Sequence, residues 1–276
     1  LIKKFRITLS HNIWQHLYFK GRFSFTTINQ KSVEAVNYNN PFETSLFWSN
    51  NVQDEATSFY VWQHLSVVCS QILDVGANTG LYSLVAKSNN PNSNIYCFEM
   101  VPRIFKLLNH NIAINDMKID TYNYAISSSN METTFYDLPG NHHHLASLEE
   151  TALTNFKNTI KQKTKTITLD TFKPLKGKSI DLVKIDVEGH ELEVLKGAEQ
   201  VIKDYKPTVL IELKSEEHLS YLNQLFNNEH YSFYNIDEQK GLIKQNQITQ
   251  AIKWNFLFLN KEHEQYLLKR HETLFS

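Results

Sequence analysis

One stretch concentrates chemistry-bearing residues: Lys184-Ile185-Asp186-Val187-Glu188-Gly189-His190-Glu191, directly after an apolar run. Side chains alternate along a strand, so Lys184, Asp186 and Glu188 share one face while Val183, Ile185 and Val187 take the other. Asp186 then stands at the strand's carboxyl end, where a ligand would meet it. A lysine inside a buried strand needs a partner, which Asp186 or Glu212 could supply. Gly189 breaks the strand, and Glu191 falls in the first turn of the next helix, where a negative charge is favourable by about 0.3–1 kcal/mol. Glu188 and His190 sit on the turn between. An imidazole with an ordinary pKa near 6.5 suits proton transfer at neutral pH. His190 is therefore the candidate general base, with Asp186 or Glu188 orienting it or the substrate. The structural alternatives are a helix cap for His190 and simple pairing with Lys184 for Asp186.

A second constellation is Asp74-Val75-Gly76-Ala77-Asn78-Thr79-Gly80, between an apolar strand and a helix. Gly76 and Gly80 permit a tight turn and close approach of a ligand, and the helix that follows offers free N–H groups. Glu99 ends the next strand, where a carboxylate can take both hydroxyls of a ribose. Dinucleotide sites call for G-x-G-x-x-G. Here the glycines are spaced G-x-x-x-G, with Asn78 between them and an acid ahead of the loop, which suits a cationic ligand better than a diphosphate. S-adenosylmethionine, with its ammonium, sulfonium and ribose, matches these features. A glycine turn without a ligand is the alternative.

DVGANTGLYSLVA, Phe98-Glu99, Leu169-Asp170, KIDVEGHELEVLKGA and Ile211-Glu212 follow one another in order. Together they resemble the FkbM family of S-adenosylmethionine-dependent methyltransferases, over about residues 40 to 260. The resemblance implies a three-layer α/β/α class I methyltransferase fold, Rossmann-like, with a mostly parallel seven-stranded sheet and an N-terminal extension. It also implies S-adenosylmethionine as cofactor and, commonly, O-methylation of a hydroxyl on a sugar, glycan or natural product. Carried over by motif, Asp74, Gly76, Asn78 and Gly80 would hold the methionine end, Glu99 the ribose, and Ala125 the adenine. Asp186 would touch the cofactor or the acceptor. Methyl transfer is a one-step displacement that needs positioning and a destination for the hydroxyl proton.

A metal is not expected. Mg²⁺ could bridge Asp186 and Glu212, but Lys214 beside Glu212 opposes a cation, although magnesium needs few protein ligands. Three consecutive histidines, His142, His143 and His144, cannot easily converge on one ion. They lie in a loop marked by Pro139-Gly140-Asn141, placed either over an acceptor or idly on the surface.

The elements that must position these groups alternate strand and helix from residue 71 onward. QILDVGA, NIYCFEM, IDTYNYAIS, DLVKIDVEG and PTVLIELK read as five strands, with YSFYNI and WNFLFL closing the sheet. Such alternation predicts a parallel sheet covered by helices, and near-continuous apolar strands fit burial on both faces. Ala56 to Val68 and ELEVLKGAEQVIKDY (191–205) read as helices, LASLEETALTNF as a short one, TTFYD and KTITLDTF as further strands, and Phe23 to Tyr38 as short strands. The parse is an extension over 1–55 and a catalytic domain over 56–276, with an insertion at 130–180 near the acceptor site. Trp48, Tyr60 and Trp62 could stack on a sugar, but packing against the sheet is the expected use.

With 276 residues, 41% hydrophobic content and a net charge of −1, the chain reads as an ordinary globular protein without a field to recruit nucleic acid. Two cysteines, Cys69 and Cys97, make no disulfide framework. No apolar run is long enough to span a bilayer. These features predict a cytoplasmic protein acting on a small molecule or glycan, with no integral membrane segment. Oligomeric state and acceptor are not legible. Two alternatives stand beside methyl transfer: a nucleotide-dependent oxidoreductase and a catalytically inactive nucleoside-binding module.

Overall fold

The computed structural model describes residues 19–275 apart from 39, 50–51, 139–145, 150–157, 214–218, 228 and 249–253. The described chain opens with a hairpin, β1 (Gly21–Thr26) and β2 (Ser32–Asn37), followed by helices α1 (Pro41–Ser49) and α2 (Ala56–Ser66). Alternation then begins with β3 (Gln71–Val75), α3 (Leu81–Asn89), β4 (Asn94–Phe98), α4 (Pro102–Ile114) and β5 (Asp120–Tyr122). Four further strands follow: β6 (Ala125–Ile126), β7 (Met131–Asp137), β8 (Ala146–Ser147) and β9 (Ile160–Ile167). Alternation resumes with β10 (Leu182–Ile185), α5 (Glu191–Lys196), α6 (Glu199–Tyr205), β11 (Thr208–Glu212) and α7 (Leu219–Leu225). The chain closes with β12 (Tyr231–Asp237), β13 (Gly241–Gln245), β14 (Asn255–Asn260) and α8 (Lys261–Leu268).

The main sheet departs from the mostly parallel seven-stranded sheet that the resemblance implied. The main sheet has eight strands in the order β13-β12-β14-β11-β10-β3-β4-β5, and it is mixed. Neighbours from β11 to β5 pair in parallel, whereas β14 with β11, β12 with β14 and β13 with β12 pair antiparallel. Strand β13 (GLIKQ) escaped notice because a short run with exposed polar residues carries little signal. A separate four-stranded sheet, β6-β9-β7-β8, draws β7, β8 and β9 from the segment expected as an insertion and β6 from just before it, so IDTYNYAIS divides between the two sheets. The beginning of LASLEETALTNF is not helical, since Ala146–Ser147 pairs with β7; its end lies outside the described residues.

Alternate residues of the main strands feed two cores. Ile72, Ile95, Cys97, Leu182 and Leu210 face a layer built from the N-terminal hairpin, α2, α3, α4 and α8. Leu73, Val75, Phe98, Val183, Ile185 and Ile211 face the other, with α5, α6 and α7. Both faces are thus covered, as the apolar strands required. The predicted helix at 191–205 breaks at Gly197, where a Cβ would lie 2.0 Å from the Ser127 carbonyl oxygen. Strand β2 has β1 on one edge; on the other, Glu34 and Val36 donate their N–H groups to the side chains of Asn115, just past α4, and Asn111 within it. Asn111 in turn donates to the Thr79 carbonyl in the glycine loop. Among the described residues, no helix is long and apolar enough to cross a membrane.

Candidate active site

A cavity of about 280 Å³ opens at the carboxyl ends of β3, β4 and β10. Its floor is the glycine loop after β3, and Gly76 and Ala77 both donate to the Phe98 carbonyl at 3.0 Å. Gly76 is left-handed (φ +81°), and a Cβ there would stand 1.8 Å from the Asp186 carbonyl oxygen. Asn78 is also left-handed (φ +50°), a conformation asparagine tolerates better than most residues. Gly80, again left-handed, packs on Leu108 instead of lining the cavity.

The acids of this half are buried. Asp74 Oδ2 accepts from Ser83 Oγ at 2.6 Å. Its Oδ1, like Asn78 Oδ1, is buried with no hydrogen-bond partner among the described residues. Burial raises the Asp74 carboxyl above its ordinary range, against the pull of Lys184. Glu99 accepts from the Asn78 and Val101 backbone N–H groups at 3.0 and 2.8 Å. Burial nevertheless pushes it up to about 7. Two orphaned acceptors in a side-chain-free cradle fit a ligand that brings N–H donors and close contact. An ammonium-bearing nucleoside such as S-adenosylmethionine meets that requirement, and Asp74, Asn78 and Glu99 would hold it. Ala125, small and buried in β6, also lines the cavity.

The other half is formed by the turn after β10. Lys184 Nζ donates to Asp186 Oδ2 at 2.8 Å and lies 4.5 Å from the centre of the Tyr82 ring. Burial alone would lower the lysine, but Asp186, Glu55 and Asp74 hold it above its ordinary range. Asp186, Glu188 and Glu212 bring carboxylate oxygens within 4.8 Å of one another. Such a group has the chemistry to hold a divalent cation, but the lysine bonded to Asp186 opposes one. Glu191 accepts from Gly189 N at 3.0 Å and is buried, the structural role expected of it.

His190 is buried at the N-cap of α5 and makes no capping bond. Its Nδ1 lies 2.7 Å from Glu149 Oε1 and its Nε2 2.9 Å from Ser127 Oγ. Both ring nitrogens are therefore engaged. The segment carrying Glu149 clasps the turn, since Ser147 Oγ donates to the Glu188 carbonyl and accepts from Glu149 N.

The N-terminal elements add a wall that the sequence did not reveal. Glu55 ends a short 3₁₀ turn and lines the cavity, accepting from Tyr82 Oη at 2.5 Å. Glu43 of α1 is fully buried and accepts from Thr79 Oγ1 at 2.5 Å; burial moves it up to about 7. Neither acid carries a sequence signal, because both lie in the extension over 1–55, whose apolar residues show no clear periodicity around them. Glu149 and Ser127 are equally silent, since their roles arise from the turn they touch. Trp62 is fully buried and donates to the Tyr82 carbonyl, so packing is its use. Of the residues singled out from the sequence, Asp74, Gly76, Asn78, Glu99, Ala125, Asp186, Glu188, His190 and Glu212 all line one cavity. His142, His143 and His144 lie outside the described residues.

Residues 74–234 match the family model described as the methyltransferase FkbM domain. Methyltransferase sdnD of Sordaria araneosa is 32% identical over 168 residues, covering 51% of this chain and 65% of that protein. Hexuronic acid methyltransferase AglP of Haloferax volcanii is 30% identical over 135 residues, covering 45% of this chain and 48% of that protein. The crystal structure of methyltransferase FkbM from Methylobacillus flagellatus superimposes with a TM-score of 0.43 at 15% identity, over 68% of this chain and 43% of that one. The chain spans less than two thirds of the length of these curated relatives.

Proposed function

Because this chain belongs to the FkbM methyltransferase family, whose cofactor is S-adenosylmethionine, we propose that it methylates a hydroxyl of a small-molecule or glycan acceptor. The observation that carries this reading is the pair of buried, unpartnered acceptors, Asp74 Oδ1 and Asn78 Oδ1, beside the Gly76 cradle. When bound, the cofactor supplies a methyl group on a positively charged sulfur. Asp74 and Asn78 accept from its ammonium, Glu99 receives the ribose hydroxyls, and Ala125 leaves room for the adenine. The turn from Asp186 to His190, with Glu212, forms the acceptor wall. Displacement at carbon is accelerated mainly by holding the reacting atoms in line, so these contacts act by positioning. His190, the general base expected from the sequence, has Nδ1 against Glu149 and Nε2 against Ser127, so it steadies the turn that forms this wall. A sugar acceptor draws support from the name of the Haloferax relative, which acts on a hexuronic acid.

Calorimetric titration with S-adenosylhomocysteine tests the reading. Removing one charge-assisted hydrogen bond costs about 1.5–3 kcal/mol. Asp74→Ala and Glu99→Ala should therefore each weaken binding roughly ten- to hundredfold. Absence of binding by the folded wild-type protein, with binding of NADH in its place, would replace methyl transfer with hydride chemistry.

A further inference from the structure

We infer that Glu55 is the residue that takes the proton from the acceptor hydroxyl, an assignment that rests on the O-methyl transfer proposed above. Glu55 stands at the N-cap position of α2 but caps nothing. That work is done by Glu238, from the turn between β12 and β13. Its Oε2 accepts from the Thr57 and Ser58 N–H groups at 2.8 and 3.1 Å, and its Oε1 from Ser58 Oγ at 2.5 Å. The helix therefore does not need Glu55, whose side chain turns into the cavity instead.

There Tyr82 Oη donates to Oε2, and no described residue bonds Oε1. Tyr82 is itself held hard, through its carbonyl by Trp62 and through its ring by Lys184, Phe42, Phe59 and Trp62. Glu55 is thus fixed by one oxygen with the other left for an occupant. The competing groups are less available. Asp186 accepts from Lys184 Nζ at 2.8 Å, so one of its oxygens is already taken up by a buried cation. His190 has both ring nitrogens engaged.

The charges facing Glu55 are Lys184, Asp186 and Glu238, with Tyr82 as donor. Burial pushes Glu55 up to about 7; Lys184 and Tyr82 oppose that rise, while Asp186 and Glu238 add to it. A carboxyl poised near neutrality both accepts a proton and returns it to solvent, the property general catalysis rewards. In the step itself the acceptor O–H bond breaks and its proton passes to a Glu55 carboxylate oxygen. The oxygen's electron pair forms the bond to the methyl carbon, and the methyl–sulfur pair stays on sulfur.

The test uses the full chain with Glu55→Gln, which keeps an acceptor for Tyr82, and Glu55→Asp. In ¹³C NMR of carboxyl-labelled glutamates, wild-type protein should show a resonance titrating near neutrality that Glu55→Gln lacks. Methyl transfer is followed with labelled S-adenosylmethionine on a panel of neutral sugars and hexuronic acids. Glu55→Gln should lose roughly 10²–10⁴-fold in kcat and the pH limb near neutrality. Its affinity for S-adenosylhomocysteine should stay at the wild-type value and its melting temperature should be no lower than wild type, and Glu55→Asp should restore part of the rate. Wild-type kcat and pH limb in Glu55→Gln would overturn the assignment, all the more if Glu188→Gln removed the limb instead. Where no sugar is methylated, the titration decides: a Glu55 carboxyl titrating in the ordinary range overturns it. Failure of wild-type protein to bind S-adenosylhomocysteine would instead overturn the transfer reading, and calorimetry reports that separately.

Discussion

Gly76→Ala puts the central geometry to a quantitative test. The residue is left-handed, which costs an alanine about 1–2 kcal/mol relative to glycine. The new methyl would lie 1.8 Å from the Asp186 carbonyl oxygen, 2.8 Å from its carbon and 3.3 Å from Val187 Cγ1. Reaching ordinary contact requires the ends of β3 and β10 to separate by roughly 1.5 Å. They resist, because Ile185 pairs with Val75 in the ladder and Asp186 N donates to the Val75 carbonyl at 3.0 Å. Losing that bond costs about 1 kcal/mol, and forcing a methyl into a packed site about 1–3 kcal/mol more. The sum is about 3–6 kcal/mol, a large share of the ~5–15 kcal/mol typical of a domain. Urea unfolding should show a lower midpoint at unchanged slope, and binding of S-adenosylhomocysteine should be lost in whatever remains folded. A variant with the wild-type midpoint and wild-type affinity would show that the strand ends do not meet as described.

Stability should also depend on pH in a defined direction. Glu43 and Glu99 are buried and titrate at about 7 in the folded chain, against 4.5 ordinarily. Between those values the folded state binds more protons than the unfolded, so unfolding free energy falls as pH rises from 4.5 to 7 and then levels. Each group contributes at most about 3 kcal/mol to that fall. Urea midpoints at several pH values, with Glu43→Gln flattening the slope, check it; a rise across the window would refute it. Arg103→Ala should destabilise by about 3–5 kcal/mol. Asp137 has a fully buried side chain and takes two guanidinium bonds, at 3.0 Å from Nε and 2.6 Å from Nη2. Removing both charges in Arg103→Met/Asp137→Leu should recover most of the loss in thermal melts, and failure to recover would assign the cost to packing.

The parts legible in the sequence were those whose residues face one demand. Strands β3, β4, β10 and β11 lie between two helical layers, so nearly every position is apolar and the run announces itself. The glycine loop and Glu99 are legible because strand ends place them without help from elsewhere. The small sheet is legible in part: TTFYD lies within β7 and KTITLDTF overlaps β9, whereas the two-residue strands β6 and β8 are too short to carry any alternation. Helix α1 hid because its residues satisfy several neighbours at once, from Phe19 stacked on Phe47 to Glu43 under Thr79. Glu55 was invisible for a related reason. What directs it into the cavity is Glu238, a residue about 180 positions away that takes over the helix end.

The asparagines that edge β2 also constrain the order of assembly. The hairpin is synthesised before the groups that complete its second edge, which lie 75 and 81 residues further on. An isolated two-stranded hairpin is marginal in water, and an unpaired edge invites strands from other chains. Residues 21–37 must therefore wait, exposed to mispairing, until α4 has formed and docked. Asn111, fully buried, then joins Val36 to Thr79 through a single amide. The glycine loop and the hairpin consequently lock together late, through contacts of long sequence separation that are slow to form. Slow translation or a chaperone acting before residue 115 has emerged would fall on the hairpin, well before the cavity exists.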